Sequence, residues 1–313
     1  MNKKKILAIL LIMLIVIGII VYALAKRYLI SDVEIDLNQL EPSQVEVGTN
    51  NNVVNNDDNN VATYDDWNYE DENINIQIEQ HEVGTGEDMI TYFVADVQLQ
   101  DQSYLRTALA NNQFGRNIID YTSSIAEDNH AILAINGDYY GFRDDGIVIR
   151  NGQLLRDDST RDGLVMYSSG VMAAFDEELT SGEQLLADDA AQTFSFGPVL
   201  VENSVAYDDF DKVSIDKNFG NRSIQNANPR TGIGWIDKNH YILVVVDGRK
   251  SGYSRGMTLN EFAELFEELG AQVAYNLDGG GSSTMYFMGN IVNNPLGKNK
   301  EREVSDIIYI GYE

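Results

Sequence analysis

The chain has 313 residues, 49 acidic against 22 basic side chains, a net charge of −27 and no cysteine. A surface of that sign repels nucleic acid and anionic lipid headgroups, so nucleic acid is not expected as a partner and an anionic ligand must be met by a local cluster of arginines. Without cysteine there is neither a disulfide staple nor thiolate chemistry.

Residues 1–27 read as a membrane segment. After Lys3, Lys4 and Lys5 the run from Ile6 to Ala25 carries no charge, and about 20 apolar residues rising 1.5 Å each match a hydrocarbon core of about 30 Å. Ala23-Leu24-Ala25 also resembles the cleavage site of a secretory signal. The length of the run and the Lys26-Arg27 pair behind it favour an uncleaved signal-anchor. With the lysines held in the cytoplasm, the expectation is a cell-membrane protein, single-pass through its N-terminal helix, with the C-terminal domain extracellular. Residues 28–73 are rich in Asn and Asp and too poor in apolar side chains to offset the entropy of ordering, which reads as a disordered linker. Within it, Trp67 and Tyr69 are the side chains suited to dock on a neighbouring domain.

The folded domain is expected over 74–313. Apolar runs of strand length recur in INIQI (74–78), ITYFVADVQL (90–99), AILAI (131–135), YILVVV (241–246) and IIYIGY (307–312). GIVIRNGQLL, with Asn151-Gly152 at its centre, reads as a hairpin, as does LVMYSSGVMAAF. Helices are expected near 105–126 and 182–190. A further helix is marked by Thr258 with Glu261 three residues on, a capping box, and by Gly270 as its stop. Leu259, Phe262, Ala263, Phe266 and Leu269 share one face of it. The order YILVVV, loop, helix, AQVAYNL makes a β-loop-α-β unit, predicting two parallel neighbouring strands within an otherwise antiparallel, mixed β-sheet. The fold class is α+β.

Both strands of that unit run into polar glycine motifs, Asp247-Gly248-Arg249 and Asp278-Gly279-Gly280-Gly281-Ser282-Ser283-Thr284. Ligands gather at the carboxyl ends of such strands. Bare backbone at the triple glycine suits a nest of N–H groups for an anion, with Ser282, Ser283 and Thr284 adding hydroxyl donors. Asn136-Gly137-Asp138 follows another strand, and Arg230-Thr231 opens one. Any one of these stretches reads as an ordinary turn; their conjunction carries the inference.

Other chemistries fit less well. His81, His130 and His240 lack ligand spacing, and there is no nucleophile elbow or Walker sequence. Ser282 with a histidine base is an alternative on paper. No cofactor is expected; a divalent cation such as calcium on Asp144 and Asp145 stays open, and the metal content is unknown.

AINGDYYG, GPVL, NPRTGIGW, VVVDGR, SGYSRGMTLNEFAELFEELGA and YNLDGGGSSTM, in this order, resemble the phosphodiester glycosidase family over roughly residues 90–313. The family includes an animal enzyme that removes N-acetylglucosamine from a phosphodiester and bacterial relatives linked to exopolysaccharide. The resemblance implies a hydrolase of a phosphodiester-linked glycan at the cell surface, with Asp278, Asp247 and Asp138 as catalytic candidates. Asn136, Gly137, Arg230, Thr231, Arg249 and the stretch Gly279 to Thr284 become substrate or phosphate ligands. Asp138 and two tyrosines stand where family members often carry glycine and phenylalanines. A non-catalytic protein that binds or assembles anionic wall polymers, and a phosphodiesterase that attacks phosphorus, are the competing classes.

Overall fold

The computed structural model describes residues 3–37, 62–213 and 224–312. In chain order its helices are α1 (Lys3–Tyr28), α2 (Thr122–Asp128), α3 (Gly182–Ala187) and α4 (Leu259–Glu268). The first strands are β1 (Asp32–Asp36), β2 (Thr63–Tyr64), β3 (Asn68–Glu70), β4 (Ile74–Val83), β5 (Ile90–Leu99), β6 (Leu105–Leu109), β7 (Gln113–Arg116) and β8 (Leu133–Asn136). Two hairpins and an added strand follow, β9 (Gly146–Arg150) with β10 (Gln153–Asp158), β11 (Asp162–Tyr167) with β12 (Met172–Asp176), and β13 (Ala190–Phe194). The C-terminal part holds β14 (Val199–Glu202), β15 (Val205–Ala206), β16 (Arg230–Asp237), β17 (His240–Val246), β18 (Val273–Asn276), β19 (Met285–Phe287), β20 (Asn290–Ile291) and β21 (Asp306–Ile310).

Two sheets carry the domain: a nine-stranded one in the order β15-β14-β18-β16-β17-β5-β4-β3-β2 and a five-stranded one in the order β20-β19-β8-β21-β6. Alternation along the strands decides which residues face which layer. On β5, Phe93, Ala95, Val97 and Leu99 join Leu243, Val245 and Tyr275 in the core shared with Leu133, Ile135, Met285 and Ile308 of the second sheet. Tyr92 and Val94 point the other way, with Val244 and Ala274, onto Leu259, Phe262, Ala263 and Phe266 of α4. Helix α2 covers the outer face of the smaller sheet through Ile125 and Ala126. The result is an α+β stack of helix, sheet, sheet and helix.

The β-loop-α-β unit differs from expectation in one respect. β16 lies between β17 and β18 and pairs antiparallel with both. The two strands of the unit therefore run parallel to each other but are not neighbours. The helix expected near 105–126 is instead β6, β7 and α2, because Asn111, Asn112 and Asn117 take left-handed backbone angles that end any helical run.

Of the expected linker, residues 38–61 lie outside those described. Its flanks belong to the fold: β1 pairs with β7, while β2 and β3 extend the larger sheet. Tyr69 is buried in the shared core, and Trp67 stacks on Phe93 with ring centroids 6.4 Å apart.

The membrane expectation is corrected. Among the described residues no helix is long and apolar enough to cross a membrane. At the end of α1, Asn117 donates its amide to the carbonyls of Lys26 and Ile30, which ties the helix to the domain. The single-pass anchor, the membrane as partner and the extracellular placement that depended on it are withdrawn.

Candidate active site

The glycine loop 278–284 sits where β18 ends, between the ends of β17 and β8. Asn136 fastens it from below. Its amide donates to the Asp278 carbonyl at 2.6 Å, and its oxygen accepts from the Thr231 hydroxyl at 2.7 Å and from Thr284 N–H. Asn136 and Thr231 are fully buried and hold the loop.

The three glycines have their open faces against neighbours. A Cβ on Gly280 would come within 3.0 Å of Arg249 Nη2, and one on Gly281 within 3.2 Å of Arg302 Cδ. Gly280 also has φ +66°, which a side chain would strain. Two exposed arginines thus straddle the mouth of the loop. The N–H groups of Gly280 and Ser282 are spent on the carbonyls of Pro229 and Gly279. Of the nest expected from sequence, Gly279 and Gly281 are the glycines that keep N–H groups outside those turns.

The arginines differ in their partners. Arg230 is buried and gives Nε to the Met257 carbonyl and Nη2 to those of Ile224 and Asn226. Burial, then the nearby Arg249 charge, pulls its guanidinium down to about 10. Arg249 donates to the neutral amide oxygen of Asn228 at 2.9 Å. Neither has a carboxylate partner among the described residues. Arg302, by contrast, donates Nη2 to Asp278 Oδ2 at 2.7 Å and Nε to Ser282 Oγ at 3.0 Å.

The three candidate aspartates separate in the same way. Asp247 is 1% exposed and saturated: Oδ1 accepts from Asn293, and Oδ2 from the Tyr253 hydroxyl and Asn294 N–H. Burial raises its carboxyl above the usual range. Asp138 accepts from the N–H groups of Tyr139 and Ser195 and lies 3.8 Å from Arg150. Asp278 uses Oδ2 for Ser282 and Arg302, and Oδ1 has no hydrogen-bond donor among the described residues.

Beneath Asp138 lies a group that sequence reading missed. Arg150 chelates Asp306 Oδ2 through Nε and Nη2 at 3.0 and 2.7 Å, and Asp306 Oδ1 accepts from Asp138 N–H. Burial pushes the Asp306 carboxyl up to about 6 against the pull of Arg150. A Cβ on Gly137 would fall 2.5 Å from Asp306 Oδ1, so the glycine there makes room for this carboxylate. Arg143 is another missed neighbour, buried between Tyr139 and Phe196 with its Nε unpartnered. Asp144 and Asp145 each pair with an arginine, Arg116 and Arg161, and no group of three acidic or histidine side chains that could hold a metal occurs among the described residues.

Comparison with known proteins places the fold. The catalytic domain of zebrafish N-acetylglucosamine-1-phosphodiester alpha-N-acetylglucosaminidase, auto-inhibited by its pro-peptide, superposes with a TM-score of 0.60 at 20% identity, covering 77% of this chain and 84% of that one. A hypothetical protein from Synechocystis gives 0.54 at 16% identity, over 76% and 62% of the two chains. At such identities the likeness is one of fold. The SPbeta prophage-derived uncharacterized protein YomE of Bacillus subtilis is 28% identical over 211 residues, 64% of this chain, which spans 31% of that relative's length. The sequence profile for phosphodiester glycosidases matches residues 129–311, from just after α2 to just past β21, and the chain belongs to the phosphodiester glycosidase family.

Proposed function

We propose that the protein hydrolyses a sugar-1-phosphodiester in a glycan at the glycosidic C–O bond. The observation that carries this reading is the pair of guanidinium groups, Arg230 and Arg249, set beside a bare glycine loop with no carboxylate among the described residues to neutralise either. In a protein of net charge −27, that is a local reversal of sign. Arginine forks match phosphate oxygens, and the half-exposed Gly279 and Gly280 let an anion approach the backbone.

The chemistry needs little more. Cleavage at the anomeric carbon expels a phosphomonoester whose second pKa is about 6, so the departing oxygen calls for weak protonation compared with an ordinary glycoside. Arg249 in contact with the phosphate, backed by the field of buried Arg230, stabilises the charge that develops on it. Asp278, with a free oxygen at the same loop, activates water or steadies the oxocarbenium ion. Asp247 and Asp138, both saturated by donors, hold the loops in place.

The test is hydrolysis of an N-acetylglucosamine-1-phosphodiester by the full chain in oxygen-18 water. Label in the free sugar is the expected outcome; label in the phosphate would assign attack at phosphorus, and binding without turnover would assign a carbohydrate-binding role. Arg249→Ala and Asp278→Asn are each expected to lower kcat by about 10²-fold or more. Unchanged kinetics in either variant would remove that residue from the site.

A further inference from the structure

We propose that Arg302 is a second phosphate ligand, one that is held on Asp278 in the empty site and turns to the substrate's anionic oxygen when it binds. The inference rests on the function proposed above and adds a determinant of leaving-group charge. Its starting point is a conflict: the carboxylate with a free oxygen beside the loop is also ion-paired, and its other oxygen is taken up by Ser282 and Arg302.

Three observations bear on how the conflict is resolved. The Arg302 side chain is 45% exposed while that of Asp278 is 10% exposed, so the pair is screened from one side only and the arginine lies outermost. Its bonds to Asp278 and Ser282 engage Nε and Nη2, the fork that a phosphate would also take. The neighbours on either side are tied down, Glu301 by its carboxylate accepting from Ser123 N–H and hydroxyl, and Val304 by its backbone bridge to Asp120. A change of partner is therefore confined to the side chain.

The Cδ of Arg302 rests against Gly281, as the Arg249 guanidinium rests against Gly280, so the two arginines approach the loop from consecutive residues. A phosphodiester over Gly279 and Gly280 offers two anionic oxygens, and one guanidinium lies on each side of it. Arg249 gives up only a neutral amide to bind; Arg302 gives up a carboxylate and thereby releases it. An uncharged leaving group supplies no reason for Arg302 to move, which leaves Asp278 paired. Substrate charge and release of the carboxylate are coupled in one step.

Two measurements on the full chain decide the matter. The first is calorimetric titration with inorganic phosphate, which needs no turnover. Arg302→Gln is expected to weaken phosphate binding about ten- to a hundredfold, the size of one charge-assisted hydrogen-bond contact, with Arg302→Lys between it and the wild type. Equal affinity in Arg302→Gln and wild type, or no phosphate binding by either, overturns the proposal. The second compares kcat/KM for the sugar-1-phosphodiester with that for the uncharged 4-nitrophenyl glycoside of the same sugar. Arg302→Gln should lower the first about ten- to a hundredfold and leave the second equal or higher; an equal fall in both marks Arg302 as structural and overturns the proposal too. If the wild type binds phosphate through Arg302 yet puts no label in the sugar, the reaction assigned above fails while the ligand role of Arg302 stands.

Discussion

Four carboxylates near the loop have the same chemistry in solution and different tasks in the fold, because donors reach them differently. Asp247 has three donors and Asp278 leaves one oxygen open. Replacing Asp247 by Asn turns one of its accepting oxygens into a donor facing buried donors, which costs about 1–3 kcal/mol. Asp278→Asn loses an ion pair to a half-exposed arginine, at most about 1 kcal/mol. Urea unfolding should therefore show Asp247→Asn clearly destabilised and Asp278→Asn close to the wild type, with activity lost in the latter. The reverse ranking would move the chemistry to Asp247. The loop motifs around these residues were legible in the sequence because glycine runs after apolar strands are rare and local. Asp306, Arg150, Asn293 and Arg302 were not, since each reaches the site from a segment whose own pattern reads as strand, hairpin or loop. A faint signal existed at Asp306, a charge opening the apolar run IIYIGY.

Among the elements, α4 was the most readable and β16 the least anticipated. Thr258 accepts from Glu261 N–H while Glu261 returns a bond to Thr258 N–H, so the capping box stands as the spacing predicts. Arg255, followed by Thr258, holds the Glu261 carboxyl down to about 2. Its stabilising contribution is full above the unfolded value near 4.5 and is lost as pH falls toward 2. Thr258→Ala is expected to cost about 1 kcal/mol in urea unfolding at neutral pH; no change would mean that packing of Phe262 and Phe266 alone sets the helix. The place of β16 between β17 and β18 escaped sequence reading for a physical reason. Chain order records that a helix links two strands, but not whether a third slides between them, and that third strand arrives from earlier in the chain. Its insertion places Arg230 between the two glycine motifs instead of leaving them side by side.

For the whole molecule, burial and net charge act in the same direction. Asp306, Asp247, Glu177 and Asp162 are all raised by burial, so the folded state holds protons more readily than the unfolded chain. For Asp306 the contribution is full below the usual carboxylate value near 4 and is lost as pH rises through about 6. The net charge of −27 adds self-repulsion as the remaining carboxylates ionise. The urea midpoint should accordingly be higher near pH 5 than near pH 7.5. A midpoint that stays level or rises across that interval would show that the buried carboxylates do not set the pH dependence, since carboxylates lowered by hydrogen bonds, such as Glu261, already contribute fully above about pH 4.5.

The strand that parts β17 from β18 also bears on how the protein comes to be active. Asn136, Arg230, Arg249, Asp278 and Arg302 belong to segments far apart in the chain, and they meet only after β16 has entered the larger sheet and β8 of the smaller sheet has closed beneath it. The proposed phosphate site therefore draws on both sheets at once, and loss of either one would separate its residues.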